Sequence, residues 1–569
     1  MPLVDCGNGV RLERGVECRL SDGTILVSDH YYPAGEGPLP TLLMRQPYGR
    51  DIASTVVYAH PAWFARHGYH VAIQDVRGRG GSGGEFYPFQ NEGRDGAEAI
   101  AWLRGHPACN GRIGMYGFSY QGATQLLAAV EQPEGLVCIA PHMTAADLYH
   151  GWFYHHGALR LSSTLGWGIQ MLRENARRKG LREASTRLEV AWTNIRNEAS
   201  RAHYAEHPAI TSPELPSYVR DWMSNREAGD YWSGQDISKS YGRIGIPALH
   251  ISGWFDTYLE GSVAGYRALR KHAGSDFARD NQYLIAGPWV HIPWGNRAGE
   301  VDFGEAANLN TDEILLRWFN HWLKDSREFE SEPRVRYFAM GPNAWRNAEE
   351  WPGEAGFAFY LHSAGSANSR KGDGRLATTA AEGEEPRGVF VYDPEVAVMA
   401  PGGPQALSGC FDQATMEMGN NLLVYTSEPA AKAIEVFGQP RVRLFAATSA
   451  AHADFTAKLV RVKTDARAEF LCIGIARSSW LFRETGYAAD EVHRWEFTLE
   501  PVAFEIAPGE RLRLEIASSA FPLYDRNPST GVAPQRADNW NWARSTQQVL
   551  HSAEHPSCVY LPVKGEPGW

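Results

Sequence analysis

Ser119 closes the run Arg112-Ile113-Gly114-Met115-Tyr116-Gly117-Phe118-Ser119, and Tyr120-Gln121-Gly122 leads from it into Ala123-Thr124-Gln125-Leu126-Leu127-Ala128-Ala129-Val130, a good helix former. Strand, tight turn and helix lift a hydroxyl out of the backbone and set it at a helix N-terminus, where free N–H groups face it. A serine hydroxyl is a weak nucleophile at its own pKa, so it needs a histidine base, and the histidine needs an acid to fix its tautomer. Two downstream runs end in those residues: Pro247-Ala248-Leu249-His250-Ile251 continues to Gly253-Trp254-Phe255-Asp256, and Tyr283-Leu284-Ile285-Ala286 continues to Gly287-Pro288-Trp289-Val290-His291. Singly, an aspartate after a strand reads as a helix cap and a loop histidine as a solvated one. Jointly, the order Ser119, Asp256, His291, each after an apolar run, predicts a triad for acyl transfer, with Glu260 as the spare acid. The turn departs from Gly-x-Ser-x-Gly: its second glycine comes one place late, at Gly122, and Gln121 stands in the usual position.

Attack on a carbonyl also needs donors for the developing oxyanion, and the backbone N–H of Tyr120, next after the nucleophile, is one. The early-strand loop that supplies the other reads Arg45-Gln46-Pro47-Tyr48-Gly49, with no His-Gly-Gly run. From position alone, a hydroxyl donor and a packing residue are equally open readings of Tyr48. Trp152, Trp167 and Phe255 are the aromatic candidates for gripping a substrate, with Trp192, Trp254 and Trp289 further off; ordinary core is the commoner role for such residues. Arg173, Arg177, Arg178, Lys179 and Arg182 read as a solvated helix face that could also attract a carboxylate.

The elements that must position these residues alternate. A hairpin from Gly15 to Tyr32 turns at Asp22-Gly23; strands follow at Thr41-Leu42-Leu43-Met44, His70-Val71-Ala72-Ile73-Gln74, the serine strand, Gly135-Leu136-Val137-Cys138-Ile139 and the two strands that end in the acid and the base. Helical patterns such as Asp95 to Leu103, Glu260 to Ala273 and Thr311 to Lys324 separate or close them, so the first half reads as a doubly wound, mainly parallel sheet. Residues 145–240 are mostly helical in pattern, rich in Arg, Trp and His, and are read as a cap over the C-terminal edge of the sheet, where such folds bind ligands. From 333 onward short alternating segments such as Arg334-Val335-Arg336-Tyr337-Phe338 and Arg511-Leu512-Arg513-Leu514-Glu515-Ile516 predict a β-sandwich of jelly-roll type, with Thr378 to Arg387 as a flexible surface connector. The division is therefore 1–144 and 241–332 for the α/β unit, 145–240 for the cap and 333–569 for the β domain. Gly78-Arg79-Gly80-Gly81-Ser82-Gly83 spells G-x-G-x-x-G after a strand, but Gly84-Glu85-Phe86-Tyr87-Pro88 continues as a loop where a dinucleotide site needs a helix.

Composition narrows the classes. With 569 residues, 43% hydrophobic and 21% charged, the chain is globular and too long for one core. A net charge of −11 without a basic stripe argues against nucleic acid as a partner, and no run of about 18 apolar residues argues against a membrane one. No secretory signal is recognisable, so the cytoplasm is the expected compartment. Cys6, Cys18, Cys109, Cys138, Cys410, Cys472 and Cys558 form no CxxC pair, and His142, His150, His155 and His156 lack metal-site spacing, so neither a metal nor a cofactor is expected.

Taken together, Arg45-Gln46-Pro47-Tyr48, Asp75-Val76-Arg77-Gly78-Arg79-Gly80-Gly81-Ser82-Gly83-Gly84, the Ser119 turn, Gly253-Trp254-Phe255-Asp256, Gly287-Pro288-Trp289-Val290-His291, Leu423-Val424-Tyr425-Thr426-Ser427 and Asp454-Phe455-Thr456-Ala457-Lys458-Leu459 resemble the cocaine-esterase-like (CocE/NonD) hydrolases and their X-prolyl dipeptidyl-peptidase relatives over almost the whole chain. The resemblance implies an α/β-hydrolase fold with an inserted helical cap and a C-terminal jelly roll. It also implies Ser119, Asp256 and His291 as triad and the Tyr48 hydroxyl with the Tyr120 N–H as oxyanion hole. Arg461 stands where that family usually has an acid, which puts a β-domain salt bridge in question. The expected activity is cleavage of small-molecule carboxylic esters through an acyl-enzyme, with a homodimer allowed. Two alternatives stand beside it. One is an α-amino acid ester hydrolase or X-prolyl-type amidase, for which Asp147, Glu206 and Asp221 would have to gather around a substrate ammonium. The other is a carbohydrate-binding protein with a vestigial triad.

Overall fold

Runs such as Leu42-Leu43-Met44 and Val71-Ala72-Ile73, apolar on both faces, suit strands covered from both sides, and that is where they lie. The structure, a computed structural model, describes residues 4–35, 37–51, 55–200, 203–353, 356–404 and 407–565. One sheet of eleven strands organises the α/β unit. Its centre is parallel, in the spatial order His70–Asp75, Leu39–Gln46, Cys109–Phe118, Leu136–His142, Ala248–Phe255, Gln282–Val290 and Val335–Ala339. Val4–Asp5, Val10–Arg19 and Ile25–Pro33 extend one side antiparallel, the last two as the hairpin around Asp22-Gly23. The winding direction reverses at Leu39–Gln46, whose two neighbours continue the chain to opposite sides, so Tyr48 and Ser119 emerge beside the crevice that a switch of this kind opens.

The sheet does not stop at residue 332. Val335–Ala339 pairs parallel with Gln282–Val290, and Ala344–Ala348 closes the edge antiparallel. Period-two alternation marks a strand but not the sheet that receives it, which is why the sequence division assigns 334–338 to the β domain. Past that edge the chain is β-rich, with long antiparallel strands such as Asp454–Val462, Ala468–Arg477 and Arg511–Ala517 forming a separate all-β domain. Arg461 pairs with Glu469 at 2.5 Å in the facing strand, so the charge is met within the hairpin. Residues 378–387 are not free: the Glu385 carboxylate lies 2.8 Å from His362 and 3.2 Å from His551.

Between Leu136–His142 and Ala248–Phe255 run the helices Leu161–Arg178, Arg182–Thr193, Ile195–Ser200, Tyr218–Ser224 and Asp230–Ser233. Leu161, Leu165, Ile169, Leu172 and Ala176 form the buried stripe of the first. A hairpin of two-residue strands, Tyr154–His155 and Ala158–Leu159, precedes it, too short for any periodicity to signal. Arg173 and Arg177 pair with Glu189 and Glu174, and Lys179 lies 3.2 Å from Glu85, as on a solvated face. Arg178 instead donates to the carbonyls of Gly80 and Ser82. The glycine loop is thus a brace: a Cβ at Gly80 would fall 2.0 Å from Asp75 Oδ2, and the Gly81 N–H donates to that oxygen at 2.9 Å. No helix among the described residues is long and apolar enough to cross a membrane.

Candidate active site

Ser119 adopts φ 59°, ψ −126°, a conformation that a tight strand-to-helix turn imposes. Its N–H donates to the carbonyl of His142 at 2.9 Å, tying the turn to the end of the neighbouring strand. The late glycine has a steric cause. A Cβ at Gly122 would lie 2.7 Å from Thr144 Cγ2 and 2.9 Å from the His142 oxygen, so the closest approach falls there. Gln121 turns back under the elbow, and its Oε1 accepts from the Phe118 N–H at 3.2 Å.

Asp256 follows the strand Ala248–Phe255 and is buried. Its Oδ1 lies 2.7 Å from Nδ1 of His291, which follows Gln282–Val290. A buried carboxylate accepts here, so Nδ1 carries the proton and Nε2 presents its lone pair. Gly253 lets these two strands close up, since a Cβ there would meet the Trp289 oxygen at 2.3 Å. The imidazole is held between the rings of Phe118 and Tyr258, at 5.4 and 5.2 Å. Ser119 and His291 line one cavity of about 560 Å³.

Tyr48 lines the same cavity and its hydroxyl faces Ser119. Burial pushes that hydroxyl's pKa up, partly offset by the hydrogen bonds it accepts from Trp167 and Ser119, so it stays protonated and remains a donor at neutral pH. Tyr120 is the first residue of its helix, so its N–H has no helical acceptor. Its side chain points the other way, donating to Glu92 at 2.9 Å, and Glu92 pairs with the buried Arg45 at 2.9 Å. Burial, opposed by Arg45, raises the Glu92 carboxyl above its usual range.

The aromatic candidates separate. Trp167 and Trp192 line the cavity. Trp152 does not: it is buried against Tyr258, ring centres 4.0 Å apart. Phe255 does not either, packing on Phe303 and Phe470. Trp254 and Trp289 are core residues whose N–H groups donate to the carbonyls of Phe338 and Ala307. Glu260 is engaged elsewhere, 3.2 Å from Arg160 and 3.4 Å from His155. Reading from sequence missed Ser162, Ser163 and Gln170 in the lining, because small and polar helix positions carry no signal that separates a cavity wall from a solvated face, and it missed Ile195 and Thr257 as well.

Two histidine groups could suggest a metal. In the first, His70 Nε2 is already 2.9 Å from His30 Nδ1, and the His70 and His106 rings lie nearly parallel at 12°, the geometry of stacking. In the second, Glu260 beside His155 is engaged by the Arg160 guanidinium. The described cysteines are unpaired.

Residues 22–293, which contain Ser119, Asp256 and His291, match the family model described as X-Pro dipeptidyl-peptidase (S15 family), and 327–560 match that of the X-Pro dipeptidyl-peptidase C-terminal non-catalytic domain. The cocaine esterase of Rhodococcus sp. (strain MB1 Bresler) is 32% identical over 566 residues, spanning 96% of this chain and 97% of that protein. The chain belongs to the cocaine-esterase-like family of serine hydrolases. It is a hydrolase acting on esters, which removes the carbohydrate-binding alternative. The fold is shared with the aminopeptidase of a marine sediment Thaumarchaeota archaeon (24% identity, TM-score 0.80, 97% of each chain) and with an α-amino acid ester hydrolase (23%, TM-score 0.78, 99% of this chain and 98% of the other).

Proposed function

We propose that Ser119, Asp256 and His291 cleave carboxylic esters through an acyl-enzyme, beneath a cap formed by residues 145–240 and beside a jelly-roll domain. The observation that carries this is the 2.7 Å Asp256–His291 bond at the wall of the cavity that Ser119 enters. His291 Nε2 takes the Ser119 proton as Oγ bonds to the ester carbon. The oxyanion is met by the Tyr48 hydroxyl and the Tyr120 N–H. Collapse of the tetrahedral intermediate breaks the bond to the alcohol, which leaves with the proton from His291. Water, deprotonated by the same nitrogen, then releases the acid and restores Ser119.

The lining favours a neutral acyl group. Among the described residues no carboxylate lines the cavity, whose walls are Phe118, Trp167, Trp192, Ile195 and Tyr258 with the hydroxyls of Ser162, Ser163 and Thr257. The three carboxylates that an ammonium-binding enzyme would need are elsewhere: Asp147 lies 2.6 Å from His150, Asp221 accepts from Tyr87 at 2.7 Å, and Glu206 is exposed. A matched pair, a phenylglycine ester and its N-acetyl counterpart, tests this. The acetylated ester should be hydrolysed at least as well, and a clear preference for the free amine would restore the amino-ester reading.

A further inference from the structure

Tyr48 belongs to the loop after Leu39–Gln46, whereas Trp167 stands on the helix Leu161–Arg178, yet the Trp167 Nε1–H donates to the Tyr48 hydroxyl at 3.2 Å. A phenol oxygen holds one proton and two lone pairs, while an indole nitrogen can only donate. Once Trp167 occupies a lone pair, the Tyr48 proton cannot be spent on Trp167 and is left for the cavity side, where Ser119 lies. Accepting one hydrogen bond also polarises the hydroxyl toward giving another.

The indole is fixed well enough to do this. It stacks on Trp222 at 5.1 Å and 9°, and packs against Trp152 at 5.6 Å and Phe89 at 5.8 Å. One turn further along the same helix the Met171 carbonyl accepts from Arg79 Nη2 at 3.1 Å, and Asn175 Oδ1 accepts from the same nitrogen at 3.0 Å. Arg79 is buried, with its guanidinium 3.7 Å from the centre of the Phe86 ring, so the glycine loop pins the register of the helix that carries Trp167.

We propose that Trp167 is a positioning residue for ester hydrolysis: its N–H fills one lone pair of the Tyr48 hydroxyl and so commits the Tyr48 proton to the oxyanion. This rests on the reading of Tyr48 as an oxyanion donor.

The test removes the N–H and keeps the ring. Benzothienylalanine at position 167 replaces the indole N–H by sulfur at nearly constant shape, and Trp167→Phe is the genetic counterpart. Each is compared with the native enzyme, with Tyr48→Phe and with the double variant Tyr48→Phe/Trp167→Phe, using p-nitrophenyl phenylacetate as substrate and phenylboronic acid as a tetrahedral mimic. Loss of the N–H should lower kcat by about tenfold, the worth of one hydrogen bond, and weaken phenylboronic acid to the same degree, with KM within about twofold. In the Tyr48→Phe background, Trp167→Phe should cost nothing further. An unchanged kcat in the benzothienyl enzyme, or an equal loss with and without the Tyr48 hydroxyl, overturns the inference. If Tyr48→Phe itself turns over at the native rate, the oxyanion reading of Tyr48 fails and the inference falls with it. If Tyr48→Phe is slow and the benzothienyl enzyme is not, the inference alone fails.

Discussion

In the proposed mechanism Ser119, Asp256 and His291 act as a unit, so their removal is not additive. Ser119→Ala should lower kcat by at least about 10⁴-fold with the melting temperature preserved, since Oγ enters a cavity and holds up no packing. Retained esterase turnover in the purified variant would remove Ser119 from the mechanism. Tyr48→Phe should lower kcat by about 10²- to 10³-fold, the usual cost of one oxyanion donor, and a loss below about threefold would argue for a packing role. The proximity of Ser119, Asp256 and His291 was legible in the sequence because each terminates an apolar run, and strand ends of a parallel sheet converge on one edge. The neighbours of Tyr48 could not. Trp152 and Trp167 are the same residue type fifteen positions apart, and only the fold, which puts a short hairpin between them, separates a core tryptophan from one that lines the site.

For elements, close approach decides more than propensity. The elbow helix Tyr120–Val130 must pass within contact of His142 and Thr144, so Gly122→Ala inserts a methyl where about 2.7 Å is available. Overpacking of this kind costs about 1–3 kcal/mol, and relief by tilting the helix would move Ser119 as well. The variant should melt lower and lose turnover together, read by thermal unfolding and by kcat on one preparation; a normal kcat at reduced stability would show that the elbow absorbs the strain elsewhere. Strand and helix positions in the α/β unit follow from apolar periodicity, as at His70–Asp75, Leu259–His272 and Thr311–Lys324. Sheet membership does not, as Val335–Ala339 shows, and neither does the hold that Glu385 keeps on residues 378–387 through His362 and His551, partners distant in sequence.

At the scale of the whole molecule, three parts meet at one cation. Arg160, which precedes the helix Leu161–Arg178 and is fully buried, lies 3.2 Å from Glu260 of the α/β unit and 3.3 Å from Glu500 of the β domain. Burial, opposed by Arg160, pushes the Glu500 carboxyl up to about 8, against an ordinary value of about 4.3. In that window the unfolded chain binds fewer protons at this site than the folded one, so its contribution to stability falls as pH rises and levels off above about 8. Melting temperatures of the native enzyme and Glu500→Gln between pH 5 and 9 should therefore converge or cross, the native curve falling more steeply up to pH 8. Parallel curves would mean that Glu500 is ionised throughout. The strand that delivers His291, Gln282–Val290, has Val335–Ala339 as its outer neighbour. During synthesis, a nascent chain that has emerged only as far as residue 332 holds every triad residue but leaves that strand with a bare edge, open to pairing with any other chain. Translation must run past the triad before the enzyme can finish itself.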